Sequence, residues 1–159
     1  MTRPMSAVTA PLPDDVVAQL RALGSPTAEH LVDLRPHYEG GAHGRIVLPW
    51  CGGCGTAHWY PALLCPGCGG ADWEWRDHGT RAHLDSWTVV HHPLAGALRG
   101  HLPLAVGLLV PAGAPHVRLV SALAVQTASD LAIDQEMDAR PGPAVDGGRL
   151  LVFAPVGER

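Results

Sequence analysis

The chain has 159 residues, enough for one or two small domains, and 47% of them are hydrophobic, which excludes global disorder. Its 11 basic residues are all arginine, and the absence of lysine excludes Schiff-base catalysis and a Walker A phosphate loop. The net charge of −4 lacks the electrostatic footprint of a nucleic-acid binder, and 19 glycines with 15 prolines favour turns and short strands over long helices.

Residues 1–13 are rich in Pro, Thr and Ala and read as a loose tail. A helical arm is expected over 14–44. Its first helix spans 14–23: Asp14 caps it, Val16, Val17, Leu20 and Leu23 form one stripe, and Gly24 ends it. A second begins at Ser25 with Pro26 at its first position and Glu29 at capping-box spacing. Leu31, Val32 and Leu34 face inward, and Pro36 is expected to stop it. Two roles fit this arm: packing on its own domain, or docking on a partner. Residues 40–44 (Gly-Gly-Ala-His-Gly) read as a flexible joint.

A zinc ribbon is expected over 45–72. Residues 45–50 lead as a strand into Cys51-Gly-Gly-Cys54, and Cys65-Pro-Gly-Cys68 follows after ten residues. Two such pairs at close spacing read as a tetrahedral site of Cys51, Cys54, Cys65 and Cys68 for one structural zinc ion. A two-residue spacer lets both sulfurs of one knuckle reach a metal about 2.3 Å away. Gly55 and Gly69 follow the second cysteine of each pair, where the chain turns sharply and N–H groups can reach the sulfurs. A redox pair needs one low-pKa thiol at a helix start, which two matched knuckles do not provide. Four thiolates leave no open metal position and no cysteine for nucleophilic chemistry.

A barrel is expected over 73–159. Strands are read at 80–92, 102–110, 116–125, 149–153 and, more weakly, 131–139. Five short strands separated by Gly/Pro turns fit a partly open OB-type barrel. The fold class is therefore mainly β with short N-terminal helices, a rubredoxin-like four-cysteine zinc ribbon and an OB-fold barrel. No apolar run is long enough to span a membrane. The opening Met1-Thr2-Arg3-Pro4-Met5 precedes no apolar h-region, so a cytoplasmic location is expected.

The motifs of serine hydrolases, zinc proteases and dinucleotide-binding folds are missing. His91 and His92 would point to opposite faces of a strand, which suits an edge or interface role better than shared ligation. Five tryptophans stand against a single phenylalanine. They serve either to wedge the ribbon against the barrel or to anchor a partner, and Trp59 and Tyr60, on the ribbon loop, are the anchor candidates.

Together, the ribbon Trp50-Cys51-Gly-Gly-Cys54-Gly55, the segments Trp59-Tyr60-Pro61, Cys65-Pro-Gly-Cys68-Gly69 and Asp72-Trp73-Glu74-Trp75, the strand Leu84-Asp-Ser-Trp-Thr-Val-Val-His-His-Pro93 and the ending Val152-Phe153-Ala154-Pro155 carry a resemblance. The chain resembles the acyl-CoA-associated zinc-ribbon/OB-fold accessory proteins, over about residues 25–155. That resemblance implies a non-catalytic subunit that binds and stabilises a thiolase-like enzyme: an acyl-CoA thiolase, an acyltransferase or a steroid side-chain aldolase. It implies a heteromer with two copies of each chain, a role in shaping the acyl-CoA channel, and zinc on the four cysteines. Many relatives carry an arginine soon after the aromatic-proline segment; here Ala62, Leu63 and Leu64 follow, so any contact that arginine makes to CoA phosphates or to the partner is absent. The alternative is a single-stranded nucleic-acid module, since both ribbons and OB barrels bind nucleic acid elsewhere. Over 73–159, however, seven arginines face nine acidic residues. No nucleic-acid or membrane partner is therefore expected.

Overall fold

The computed structural model describes residue 14 and residues 34–92, 102–125, 127–145 and 148–157. The expected tail and the two expected helices, as far as residue 33, lie outside the described residues apart from Asp14. No helix among the described residues is long and apolar enough to cross a membrane.

Helix α1 spans Arg35–Ala42. Pro36, expected to end a helix, lies in the first turn of this one. The position is permissive because a first-turn N–H has no intrahelical partner and proline already has a helical φ. Gly40 and Gly41, expected in a joint, lie inside the helix for a packing reason. A Cβ on Gly40 would collide with Val47 Cγ2, and one on Gly41 would sit 3.2 Å from Arg149 O. The bare glycine face thus lets α1 approach the ribbon and the last barrel strand closely. The chain leaves the helix at Gly44, whose φ of 67° suits glycine.

Strands β1 (Val47–Cys51) and β2 (Trp73–Asp77) form the ribbon's antiparallel sheet, in the register Val47↔Asp77 through Cys51↔Trp73. The sequence places residue 73 at the head of the barrel; the strand that starts there pairs instead with β1.

The barrel comprises β3 (Arg81–Val90), β4 (Leu104–Pro111), β5 (Leu119–Ala122), β6 (Glu136–Val145) and β7 (Gly148–Pro155). Its order is β5-β4-β3-β6-β7, with every neighbouring pair antiparallel. The register of β3 against β4 slips at Asp85, between Leu84 and Ser86. Such a bulge bends a strand, which helps one strand serve two partners around a curved sheet. The two edges meet at a parallel bridge, Leu123↔Phe153, with Ala124 N–H donating to Phe153 O at 2.7 Å. The Ser121 hydroxyl donates to Leu151 O at 2.7 Å beside it. This is the nearly closed five-stranded path of an OB-type barrel.

Two strand expectations shift. The one over 116–125 contracts to Leu119–Ala122, because residues 114–117 form a turn with Val117 N–H bonded to Ala114 O. The one over 131–139 starts only at Glu136. There Asp134 takes a φ of 60°, and Gln135 Oε1 accepts from Ala132 N–H, closing a turn ahead of the strand.

One core joins the two units. Leu84, Leu109, Leu123, Met137 and Phe153 fill the barrel, and Ile46 and Leu48 from the ribbon belong to the same buried cluster. Trp50, Trp59 and Trp87 pack against it from the side. His37 of α1 is buried, with Nδ1 2.8 Å from Val47 O and its ring 4.2 Å from Trp59. Burial holds its pKa below the ordinary value, outweighing the bond to Val47 O, which raises it. The imidazole is therefore neutral in the fold, with Nδ1–H donating to the carbonyl.

Gly107 approaches the core so closely that a Cβ would lie 2.9 Å from both Leu84 Cδ1 and Leu123 Cδ2. Gly107→Val should cost about 1–3 kcal/mol by overpacking, read from urea unfolding of the zinc-loaded protein. An unchanged midpoint would contradict that close approach. In an NMR pH titration, His37 should titrate below the ordinary histidine value of 6.5. If it titrates at or above that value, the buried neutral ring is wrong.

Candidate metal centre

The two cysteine knuckles repeat one backbone design. Cys51 O accepts from Gly55 N–H at 2.9 Å, and Cys65 O accepts from Gly69 N–H at 2.8 Å. Cys51 N–H donates to Thr56 O, and Cys65 N–H donates to Gly70 O. Gly55 and Gly69 have φ of 67° and 74°, which other residues adopt at a cost. The glycines after each pair thus turn the chain, as the spacing suggests. Their amides, however, bond carbonyls rather than sulfurs, and the sulfurs draw on other donors. Gly67 N–H lies 3.4 Å from Cys65 Sγ. The Cys54 and Gly53 amides point to Cys51, and the Gly70 amide to Cys68.

The four sulfurs all lie within 4.8 Å of one another. Cys51 and Cys68 are 3.6 Å apart, as are Cys54 and Cys65. Tetrahedral zinc with sulfurs about 2.3 Å away requires separations of about 3.8 Å, so the cluster fits one ion. Small residues leave the necessary space: a Cβ on Gly53 would lie 3.3 Å from Cys68 Sγ, and one on Gly70 3.4 Å from it. Four thiolates close the coordination shell, so the ion has a structural role.

The knuckles bias which sulfur ionises first. Amide donation, from Cys54 foremost, holds the Cys51 thiol down to about 7 against the opposing effect of burial. The Gly70 amide pulls Cys68 the same way, but Cys51, burial and the other two sulfurs together push it up to about 11. A metal ion needs all four sulfurs as thiolates, so the site takes up metal with loss of protons.

One side chain beside the metal site is not singled out by the sequence. His58 Nε2 lies 3.4 Å from Cys65 Sγ. In sequence it is only part of an aromatic loop, since its spacing from the cysteines matches no ligand pattern.

The remaining candidates separate in space. Trp59 is half-buried, with His37 tilted against it at 4.2 Å and Tyr60 stacked on it at 4.7 Å. Tyr60 is 66% exposed, and Leu63 and Leu64 of the same loop are 64% and 58% exposed. From Cys51 to Ala71 the chain carries no Asp, Glu, Lys or Arg. A cavity of about 130 Å³ lies between this loop and the barrel, lined by His37, Trp59, Tyr60, Val120 and Leu151 among others. His91 and His92 sit past the end of β3, exposed, on a different element from the ribbon loop.

The purified protein should contain one zinc per chain by metal analysis. Cys54→Ser or Cys68→Ser should lose it and yield poorly soluble protein. Zinc should be retained near neutral pH and released on acidification, because protons compete for the thiolates. A fully folded, metal-free Cys68→Ser protein would contradict the assignment.

A family model described as the ChsH2 rubredoxin-like zinc ribbon domain matches residues 39–74. Among solved structures, a chain of the "Ltp2-ChsH2(DUF35) aldolase" is similar at 26% identity with a TM-score of 0.68. That match covers 82% of this chain and 98% of that one. A DUF35-family protein of unknown function from Sulfolobus solfataricus shares the fold at 14% identity and a TM-score of 0.53, covering 89% of this chain and 94% of that one. No curated protein matches the chain. Residues 39–74 are thus similar to the ChsH2 rubredoxin-like zinc ribbon domain, and the chain as a whole shares the fold of these two structures.

Proposed function

We propose that this chain is the zinc-ribbon/OB-fold subunit of a thiolase-like acyl-CoA enzyme complex, with the catalytic groups on its partner. The observation that carries the reading is the match to a chain of the Ltp2-ChsH2(DUF35) aldolase, which extends over 98% of that chain. The chemistry of this chain agrees. Its four cysteines lie together at the metal site, and the sequence offers no lysine for covalent catalysis. In this reading the subunit stabilises its partner and borders the acyl-CoA channel, in an assembly with two copies of each chain.

The ribbon loop is the docking element of this proposal. Interfaces are depleted of charge at their core and enriched in aromatic residues. The stretch from Cys51 to Ala71 has that composition, and it exposes Tyr60, Leu63 and Leu64. Val120, 70% exposed, lines the same cavity as Tyr60 and extends the apolar surface onto the barrel. Trp59 supports Tyr60 from behind by stacking. His91 and His92 form the proposal's secondary contact.

A tagged chain produced in its native host should co-purify with a thiolase-fold protein in near-equal amount, identified by mass spectrometry. Isolation of the chain alone would contradict the proposal. Tyr60→Asp should weaken the complex by about 2 kcal/mol or more, the loss expected for a central anchor, while zinc content stays at one per chain. An unaffected complex would remove the loop from the interface.

A further inference from the structure

We infer that His58 is a positioning residue of the metal centre, donating its Nε2–H to the Cys65 thiolate and thereby tying the ribbon loop to the metal. The contact is 3.4 Å, to a sulfur that also faces Gly67 N–H at 3.4 Å. The direction of donation follows from chemistry. A metal-bound thiolate has no proton and can only accept, so the facing ring nitrogen must carry the hydrogen. That defines the tautomer: Nε2–H, with Nδ1 bare in the neutral ring.

Burial explains why this sulfur needs donors from within the protein. Cys54 and Cys68 are exposed, whereas Cys51 and Cys65 are buried. Four thiolates on one divalent ion leave excess negative charge, and water can offset it only at the exposed sulfurs. A buried anion requires internal hydrogen bonds. Cys51 has the amides of Cys54 and Gly53. Cys65 has Gly67 N–H and the imidazole of His58.

The ring is held for this task. His58 N–H donates to Pro49 O at 3.1 Å, which anchors its backbone to β1. The imidazole meets the ring of Trp73 on β2 edge-on, at 5.7 Å and 87°. Both ribbon strands therefore orient it toward Cys65. The next two residues are Trp59 and Tyr60, so the same hydrogen bond connects the metal to the start of the exposed loop. The inference rests on the metal site alone and is independent of any partner.

The test uses the whole chain in its zinc-loaded form. Removing a hydrogen-bond donor to a metal ligand lowers metal affinity about 10- to 100-fold, so His58→Ala should lose zinc to a chromophoric chelator at correspondingly lower chelator concentration. His58→Gln, whose amide N–H reaches about as far as Nε2, should recover most of the loss. In the cobalt-substituted protein, His58→Ala should shift the sulfur-to-metal charge-transfer bands while keeping the four-sulfur tetrahedral d–d pattern. Nitrogen NMR of the unmodified zinc protein should show the Nε2–H tautomer at His58. The inference is overturned by any of three results. One is a His58→Ala protein with unchanged zinc affinity and unchanged cobalt spectrum. Another is a proton on Nδ1 with Nε2 bare. The third is a cobalt spectrum that reports loss of a nitrogen ligand, which would make His58 a ligand.

Discussion

The ribbon has almost no core of its own, and this makes the four-sulfur metal site the constraint on which the structure depends. Between Cys51 and Ala71 the buried side chains are Cys51, Ala57 and Cys65. Of the large apolar residues there only Trp59 packs inward, while Tyr60, Leu63 and Leu64 point to solvent. Apart from Ala57 and Trp59, which reach the barrel core, hydrophobic burial contributes little order to this segment, and the free energy of metal binding supplies most of it. Every local feature serves that end. The two knuckles share one hydrogen-bond pattern, two of their glycines adopt left-handed turns, and other glycines leave room around the sulfurs.

Order passes outward from the metal by ordinary packing. Strand β1 carries Cys51, and its Leu48, with the preceding Ile46, enters the barrel core beside Leu84 and Phe153. Helix α1 lies over β1 and β7 through its glycine face, and its His37 reaches both Val47 O and Trp59. Barrel, helix and ribbon thus hold the exposed loop from different sides. The result is a supported surface with exposed apolar groups and, outside the metal site, no charged side chain from Cys51 to Ala71, the composition that the proposed docking role requires.

Much of this was legible in the sequence because its signals were local. The spacing of Cys51, Cys54, Cys65 and Cys68 announced the metal site, and the Gly/Pro-punctuated runs announced the barrel strands. What escaped depended on tertiary context. Gly40 and Gly41 look like a hinge in one dimension, and only the nearness of Val47 and Arg149 makes them a packing face. Pro36 reads as a stop or a start depending on which side the helix lies. Trp73 begins the second ribbon strand because of its pairing with Cys51, a long-range choice that residue type does not reveal. His58 became visible only when the fold brought it to Cys65.

The central claim is that the metal-ordered loop is the face this subunit presents to a thiolase-like enzyme. Hydrogen–deuterium exchange of the zinc-loaded chain, free and in its complex, tests that claim most directly. The account predicts new protection concentrated in the amides of residues 58–64 and around Val120 on β5. Protection confined to other surfaces, with that loop exchanging as fast in the complex as alone, would contradict it.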